Sequence, residues 1–231
     1  MKKIKIYIDG PDNKEIKKYF NSVDGFTFNP SLFRKLNVKD YLGYTKSLLK
    51  LTKKKPLSIE VFADDEKNCF YQAKKISEIS KNIYVKIPIT YTSGKSTKNL
   101  IKKLSQHNIK LNITAIFTLN QIKEIYPMIK NKSHILSIFA GRLYDIGIDA
   151  NKEFKKMSTF IKRKTKCKSL WASCRMTYDI KSAAGAGADI ITVPPIYLNK
   201  KKLFGLKPKK YSLDTVKGFY SDAKKSGFKI K

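Results

Sequence analysis

Lys86 lies in IYVKIPIT, an apolar run of the kind that forms a buried strand. Desolvation penalises an ammonium there and favours the neutral amine, a nucleophile that condenses with carbonyl carbons to a Schiff base. Asp9 and Glu60 end two other apolar runs and can move protons, while Asn29, Asn112 and Thr114 can fix hydroxyls or a water. Ser137, Arg142, Ser173 and Arg175 offer the hydroxyl and guanidinium donors that grip a phosphate. Each has a plainer reading when taken alone. Lys86 can be a structural ion-pair partner of Glu60, and the serines can serve only to satisfy backbone groups.

What brings such scattered residues together is the repetition of the elements beneath them. Eight short apolar runs, IKIYID, GFTFN, LSIEV, IYVKIP, IKLNIT, HILSIF, SLWAS and ADIITVP, each end in or just before a polar residue, the last at Thr192. Between them lie segments of helical period, from NKEIKKYF, with Asp12 or Asn13 as cap, to NKEFKKMSTFIKRK and SLDTVKGFYSDAKK. Strand and helix alternating eight times predicts α/β architecture, a single (β/α)8 TIM barrel whose strand C-termini share one mouth. An open doubly wound sheet would carry a glycine-rich phosphate turn. No junction reads GxGxxG or GxxxxGK[ST], and TSGKST at 92–97 lacks the preceding glycine spacing. Pro127 inside the fifth helical segment suggests a kink or an early stop.

At 231 residues the chain suits one such domain, residues 1–231, with a long basic βα loop near 196–210. Its three cysteines, Cys69, Cys167 and Cys174, have neither metal-ligand nor redox spacing, which predicts no metal site and a reducing cytoplasm. No apolar run approaches the roughly 18 residues of a spanning helix, and MKKIKIYID turns acidic too soon for a signal peptide. The formal charge of +31 invites a nucleic-acid partner. Its distribution argues against one, because 45 of the 49 basic residues are Lys spread over nearly every helical segment. Solvated helix faces and general attraction of anions account for that pattern. The four arginines are Arg34, Arg142, Arg163 and Arg175, and two follow the sixth and seventh runs.

FTFNPSL (26–32), SIEV (58–61), VKIP (85–88), NITAIFTLNQ (112–121), SIFAGRLYDIGID (137–149), ASCRM (172–176) and GADIITVPP (187–195) follow one another in an order and spacing similar to those of the transaldolase family. The resemblance is to its short members, which include fructose-6-phosphate aldolases, and spans essentially the whole chain. It implies a barrel in which Lys86 forms a Schiff base with a ketose phosphate. Asp9 would take the proton from the hydroxyl beside the breaking carbon–carbon bond, and Glu60 with Thr114 would hold the proton-shuttling water. Asn29 and Asn112, with Thr27 close by, would orient hydroxyls, and Phe139 would pack above the intermediate. Ser137, Arg142, Ser173 and Arg175 would bind phosphate.

The same resemblance implies no metal or organic cofactor, and a homo-oligomer. The substrates it implies are fructose 6-phosphate, sedoheptulose 7-phosphate, erythrose 4-phosphate and glyceraldehyde 3-phosphate. Ile138, Ala140, Cys174 and Phe28 depart from common family residues. An aldolase that releases free dihydroxyacetone is the nearest alternative. The positions of Phe139 and Glu60, which resemble tyrosine and glutamine in that group, match the transaldolase pattern here. A non-catalytic barrel binding sugar phosphate or RNA is the reading from another class. It gives no reason to keep a buried amine with two carboxylates.

Overall fold

The computed structural model describes residues 4–230. Eight parallel strands close a barrel in chain order: β1 (Lys5–Asp9), β2 (Gly25–Thr27), β3 (Leu57–Glu60), β4 (Ile83–Pro88), β5 (Leu111–Ile116), β6 (Ile135–Ile138), β7 (Lys168–Trp171) and β8 (Ile190–Val193). Strands covered on both faces read as near-continuous apolar runs, which is why Ile, Leu and Val dominate them. The register sets Asp9 beside Thr27, and Glu60, Lys86 and Asn112 in one row across three strands.

The expected helices form: α1 (Asn13–Tyr19), α3 (Tyr41–Thr52), α4 (Glu66–Ile79), α5 (Lys98–Gln106), α6 (Leu119–Ile129), α8 (Ala150–Lys164) and α9 (Asp179–Gly185). Asp12 caps α1 in a capping box with Glu15, and Thr118 does the same for α6 with Gln121. Pro127 lies so close to the end of α6 that the helix runs on to Ile129 without the early stop. Ile16, Leu48, Ile76, Leu104, Ile122, Phe154 and Met157 are buried on the helices, and Trp171 is buried at the end of β7. Each large apolar side chain buried in this way contributes about 1.5–3 kcal/mol.

Two helices have no readable period because each is only six residues long: α2 (Pro30–Lys35) after β2, and α7 (Ala140–Asp145) after β6. Both stand directly over the mouth of the barrel. The basic stretch 196–210 is not a loop. α10 (Pro195–Lys200) continues into a 3-10 turn at Lys201–Leu203, and Pro208 then opens α11 (Pro208–Ser226) at a position where its missing N–H costs nothing. Contacts within the chain group it into two compact units, residues up to Leu198 and residues from Asn199 on. The first holds the whole barrel, and the second holds α11.

Candidate active site

Lys86 points into the barrel from β4 and is 6% exposed. Its Nζ lies 3.0 Å from Oε2 of Glu60 on the neighbouring strand. The Tyr41 hydroxyl donates to the Glu60 backbone carbonyl and so ties α3 to the end of β3. On the other side of the cavity, Thr27 Oγ1 donates to Asp9 Oδ1 at 2.6 Å and lies 2.6 Å from Thr192 Oγ1. With its own proton committed to Asp9, Thr27 must accept from Thr192. Burial raises the Asp9 carboxyl above the ordinary carboxylate range, opposed by the charge of Lys86 and the Thr27 hydrogen bond. A carboxylate made more basic by desolvation is a better acceptor for a hydroxyl proton.

A second chain of hydrogen bonds crosses the floor. Ser137 Oγ donates to Asn112 Oδ1 at 2.6 Å, and Asn112 Nδ2 donates to Ser58 Oγ at 3.1 Å, which orients a fully buried amide across β3, β5 and β6. Thr114, one pleat above Asn112, is 1% exposed and its hydroxyl has no hydrogen-bond partner among the described residues. A buried hydroxyl left unpaired costs about 1–3 kcal/mol, so this one is placed to be satisfied by a water or a substrate hydroxyl in the cavity it lines. The register between β5 and β6 shifts between Ile113 and Ile116, the stretch that holds Thr114, and Ala115 takes a left-handed conformation with φ 58°. Such bulges commonly re-aim side chains beside active sites.

The rim comes from the two short helices. Asn29 caps α2 by accepting from the Leu32 N–H at 2.9 Å, which leaves its Nδ2 side for a ligand. Phe139 precedes α7, and the Arg142 guanidinium sits over its ring, 5.5 Å from the centroid. Gly141 packs so closely on the next loop that a Cβ there would lie 1.6 Å from the Ser173 carbonyl oxygen. No other residue fits while Ser173 holds its own left-handed φ of 63°.

The cavity brings together Lys86, Asp9, Thr27, Asn29, Asn112, Thr114, Ser137, Phe139, Arg142 and Ser173. Glu60 does not line it; it lines a neighbouring cavity with Pro30, Val61 and Phe62 and reaches the site through its ion pair with Lys86. Arg175 does not line the site's cavity either. Its Nε donates to both oxygens of Asp145, at 2.8 and 3.1 Å, and its Nη2 also donates to that carboxylate. Asp179 holds the loop by accepting from the Arg175 and Met176 backbone N–H groups. Sequence reasoning passed over Ser58, Asp145 and Asp179. Ser58 lay in view, two residues before Glu60 and therefore on the same strand face, whereas no local pattern marks either aspartate as a partner of Arg175.

Phe28, Ile138, Ala140 and Cys174, the departures noted above, are buried and outside the lining, so they act on the pocket's shape from behind. The Cys174 thiol donates to the Thr192 carbonyl at 3.0 Å, and burial raises its pKa well above the usual thiol value, the opposite of what a nucleophile needs. Among the described residues no group of His, Cys, Asp or Glu has metal-binding geometry, and no helix is long and apolar enough to cross a membrane.

The barrel itself has many distant likenesses. 3-Hexulose-6-phosphate synthase from Salmonella typhimurium superposes with a TM-score of 0.58 at 11% identity, covering 83% of this chain and 89% of that one. KGPDC from Streptococcus mutans gives 0.57 at 12% over 83% and 88%. At such identities only the fold is shared. Sequence relatives are far closer. A protein named probable transaldolase from Bartonella henselae is 31% identical over 98% of this chain and all of its own length. Others of that name from Brucella anthropi and Thermoplasma volcanium are 33% and 35% identical, covering 98% and 83% of this chain and 100% and 84% of theirs. The model of the family described as transaldolase/fructose-6-phosphate aldolase matches residues 6–230. A match that takes in all of the barrel strands but Lys5 and every residue of the cavity places this chain in the transaldolase/fructose-6-phosphate aldolase family.

Proposed function

We propose that the protein is a transaldolase, moving a dihydroxyacetone unit from fructose 6-phosphate or sedoheptulose 7-phosphate to erythrose 4-phosphate or glyceraldehyde 3-phosphate. The observation that carries the reading is the buried Lys86 amine, 3.0 Å from Glu60, in a cavity with Asp9 opposite and a hydroxyl-free ring, Phe139, in its wall. Glu60 accepts the ammonium proton, and the freed amine attacks the ketose carbonyl. Loss of water through a molecule held by Glu60 and the unpaired Thr114 hydroxyl gives the iminium.

Asp9 then takes the proton of the C4 hydroxyl as the C3–C4 bond breaks. The aldehyde departs, and the bonding electrons pass to the iminium as an enamine. A second aldehyde captures that enamine and Asp9 returns the proton. Hydrolysis then frees the new ketose and Lys86. Asn29 and Asn112 orient the hydroxyls, and Arg142 with Ser173 faces the phosphate, which Ser137 joins by turning to it the proton it gives Asn112. Arg175 joins them by exchanging Asp145 for the substrate, which an ion pair this exposed gives up at little cost.

The test is chemical trapping. After incubation with fructose 6-phosphate and borohydride reduction, peptide mass spectrometry is expected to find a reduced dihydroxyacetone adduct on Lys86. Lys86→Met is expected to abolish both adduct and turnover while the far-ultraviolet circular dichroism stays unchanged. An adduct on another lysine, or turnover without any adduct, would overturn the assignment.

A further inference from the structure

The +31 charge is not consumed by the barrel mouth, and a second cavity lies elsewhere on the molecule. It is a groove of about 600 Å³ on the outer helix layer, where α6 packs beside α8, and none of its residues lines the barrel cavity. Phe160 and Leu119 give it an apolar floor, and the Phe160 ring is held edge-on by Tyr126 at 5.4 Å. Lys152, Lys155, Arg163 and Lys164 stand around that floor, each exposed and with no ion pair among the described residues. Lys156, also in the lining, is paired with Glu153, the one carboxylate of α8.

Spacings of 3 and 8 place Lys152, Lys155 and Arg163 along one side of a helix whose opposite side, Phe154, Met157 and Ile161, is buried, and Lys164 borders the groove from the helix end. From Lys152 to Arg163 the helix rises about 16 Å, a row long enough for several phosphates of one strand. Arg163 is one of only four arginines in a chain that otherwise uses lysine. A row of cations, an Arg and a partly exposed aromatic ring are the features that a single strand of nucleic acid uses, its phosphates on the charges and a base against the ring.

We infer that the α6–α8 groove binds single-stranded RNA, independently of the sugar-phosphate site. The even spread of lysine along the sequence speaks against a nucleic-acid partner, and the proposal rests instead on the cations that one helix, α8, sets around an aromatic ring. An acidic protein segment would satisfy the same charges but has no use for the ring.

The test is fluorescence anisotropy with a labelled oligouridylate on the full chain. Wild type is expected to bind with a salt slope of about −3, the value for four released counterions on a single strand. The triple variant Lys152→Glu, Lys155→Glu, Arg163→Glu is expected to weaken binding by at least about 100-fold, while Phe160→Leu costs about tenfold. A control triple of exposed lysines on α1 and α4, Lys14→Glu, Lys17→Glu, Lys74→Glu, has the same net charge and is expected to change affinity less than threefold. Saturating fructose 6-phosphate is expected to leave binding intact. Equal losses in both triples would show that diffuse charge alone is at work and overturn the inference. So would competition by sugar phosphate, absence of wild-type binding, or displacement by polyglutamate with no sensitivity to Phe160→Leu.

Discussion

Phe139 is the residue on which the proposed transfer depends most subtly. Transfer requires the enamine on Lys86 to survive until an aldehyde arrives, and an apolar ring in the cavity wall neither donates a proton to it nor orders a hydrolytic water. Phe139→Tyr is expected to raise release of dihydroxyacetone from fructose 6-phosphate without acceptor by about 10²-fold, the lower end of general acid–base assistance. A wild type that already releases it as fast as it transfers would identify an aldolase. Arg142 makes a prediction of its own. Its guanidinium sits over the Phe139 ring, feels the Asp145 charge and forms no ion pair among the described residues, so its charge is available to substrate. Arg142→Ala is expected to raise KM for phosphorylated substrates by roughly 10–150-fold, the worth of a charge-assisted hydrogen bond, and to leave that for free dihydroxyacetone nearly unchanged. Parallel losses for both would mean a structural arginine.

At the scale of elements, His134 joins three of them. It is 3% exposed at the start of β6, accepts from the Leu111 N–H of β5 at Nδ1 and lies 3.1 Å from Ser105 Oγ of α5 at Nε2. Its proton therefore sits on Nε2, a structural role in keeping with its place at a strand start. Burial, then the charge of Lys132, lowers its pKa from 6.5 to about 4. Between those values the unfolded chain binds a proton that the folded chain does not. The contribution of His134 is therefore expected to be complete above pH 6.5 and to be lost towards pH 4, about 3 kcal/mol in all. Urea denaturation at pH 7 and pH 4.5 is expected to show His134→Gln less stable than wild type at pH 7 but with a smaller loss on acidification. Equal acid losses in both proteins would show that the histidine does not titrate with unfolding.

At the scale of the whole molecule, α11 carries large apolar side chains that its own unit leaves unburied. Tyr211, Leu213, Val216, Phe219 and Tyr220 are each more than half exposed. Large apolar side chains gathered on one exposed helix mark an interaction surface, and the family resemblance implies a homo-oligomer. Light scattering after size exclusion is expected to give a multiple of 26.5 kDa, and Phe219→Glu with Val216→Glu to reduce it. A wild-type monomer, or a variant with unchanged mass, would remove α11 from the interface. The net charge of +31 opposes self-association, so raised salt is expected to favour the larger species.

Strand identity, helix identity and the family were legible in the chain because hydrophobic period, capping residues such as Asp12 and Thr118, and motifs such as VKIP are local. Lys86 could be named for the same reason, since a lone cation in an apolar run is conspicuous at any fold. Partners could not be named. Ser58 meets Asn112 from 54 residues away, and Arg175 turns to Asp145 from 30. The helices α2 and α7 are too short to show a period, and the stretch after Pro195 was helical where its charge suggested a loop. Local order in the chain specifies which atoms are polar and which elements carry them. Closure of the barrel brings distant strands within hydrogen-bonding reach, and only then is it decided which polar atoms satisfy one another and which, like the Thr114 hydroxyl, remain for a ligand.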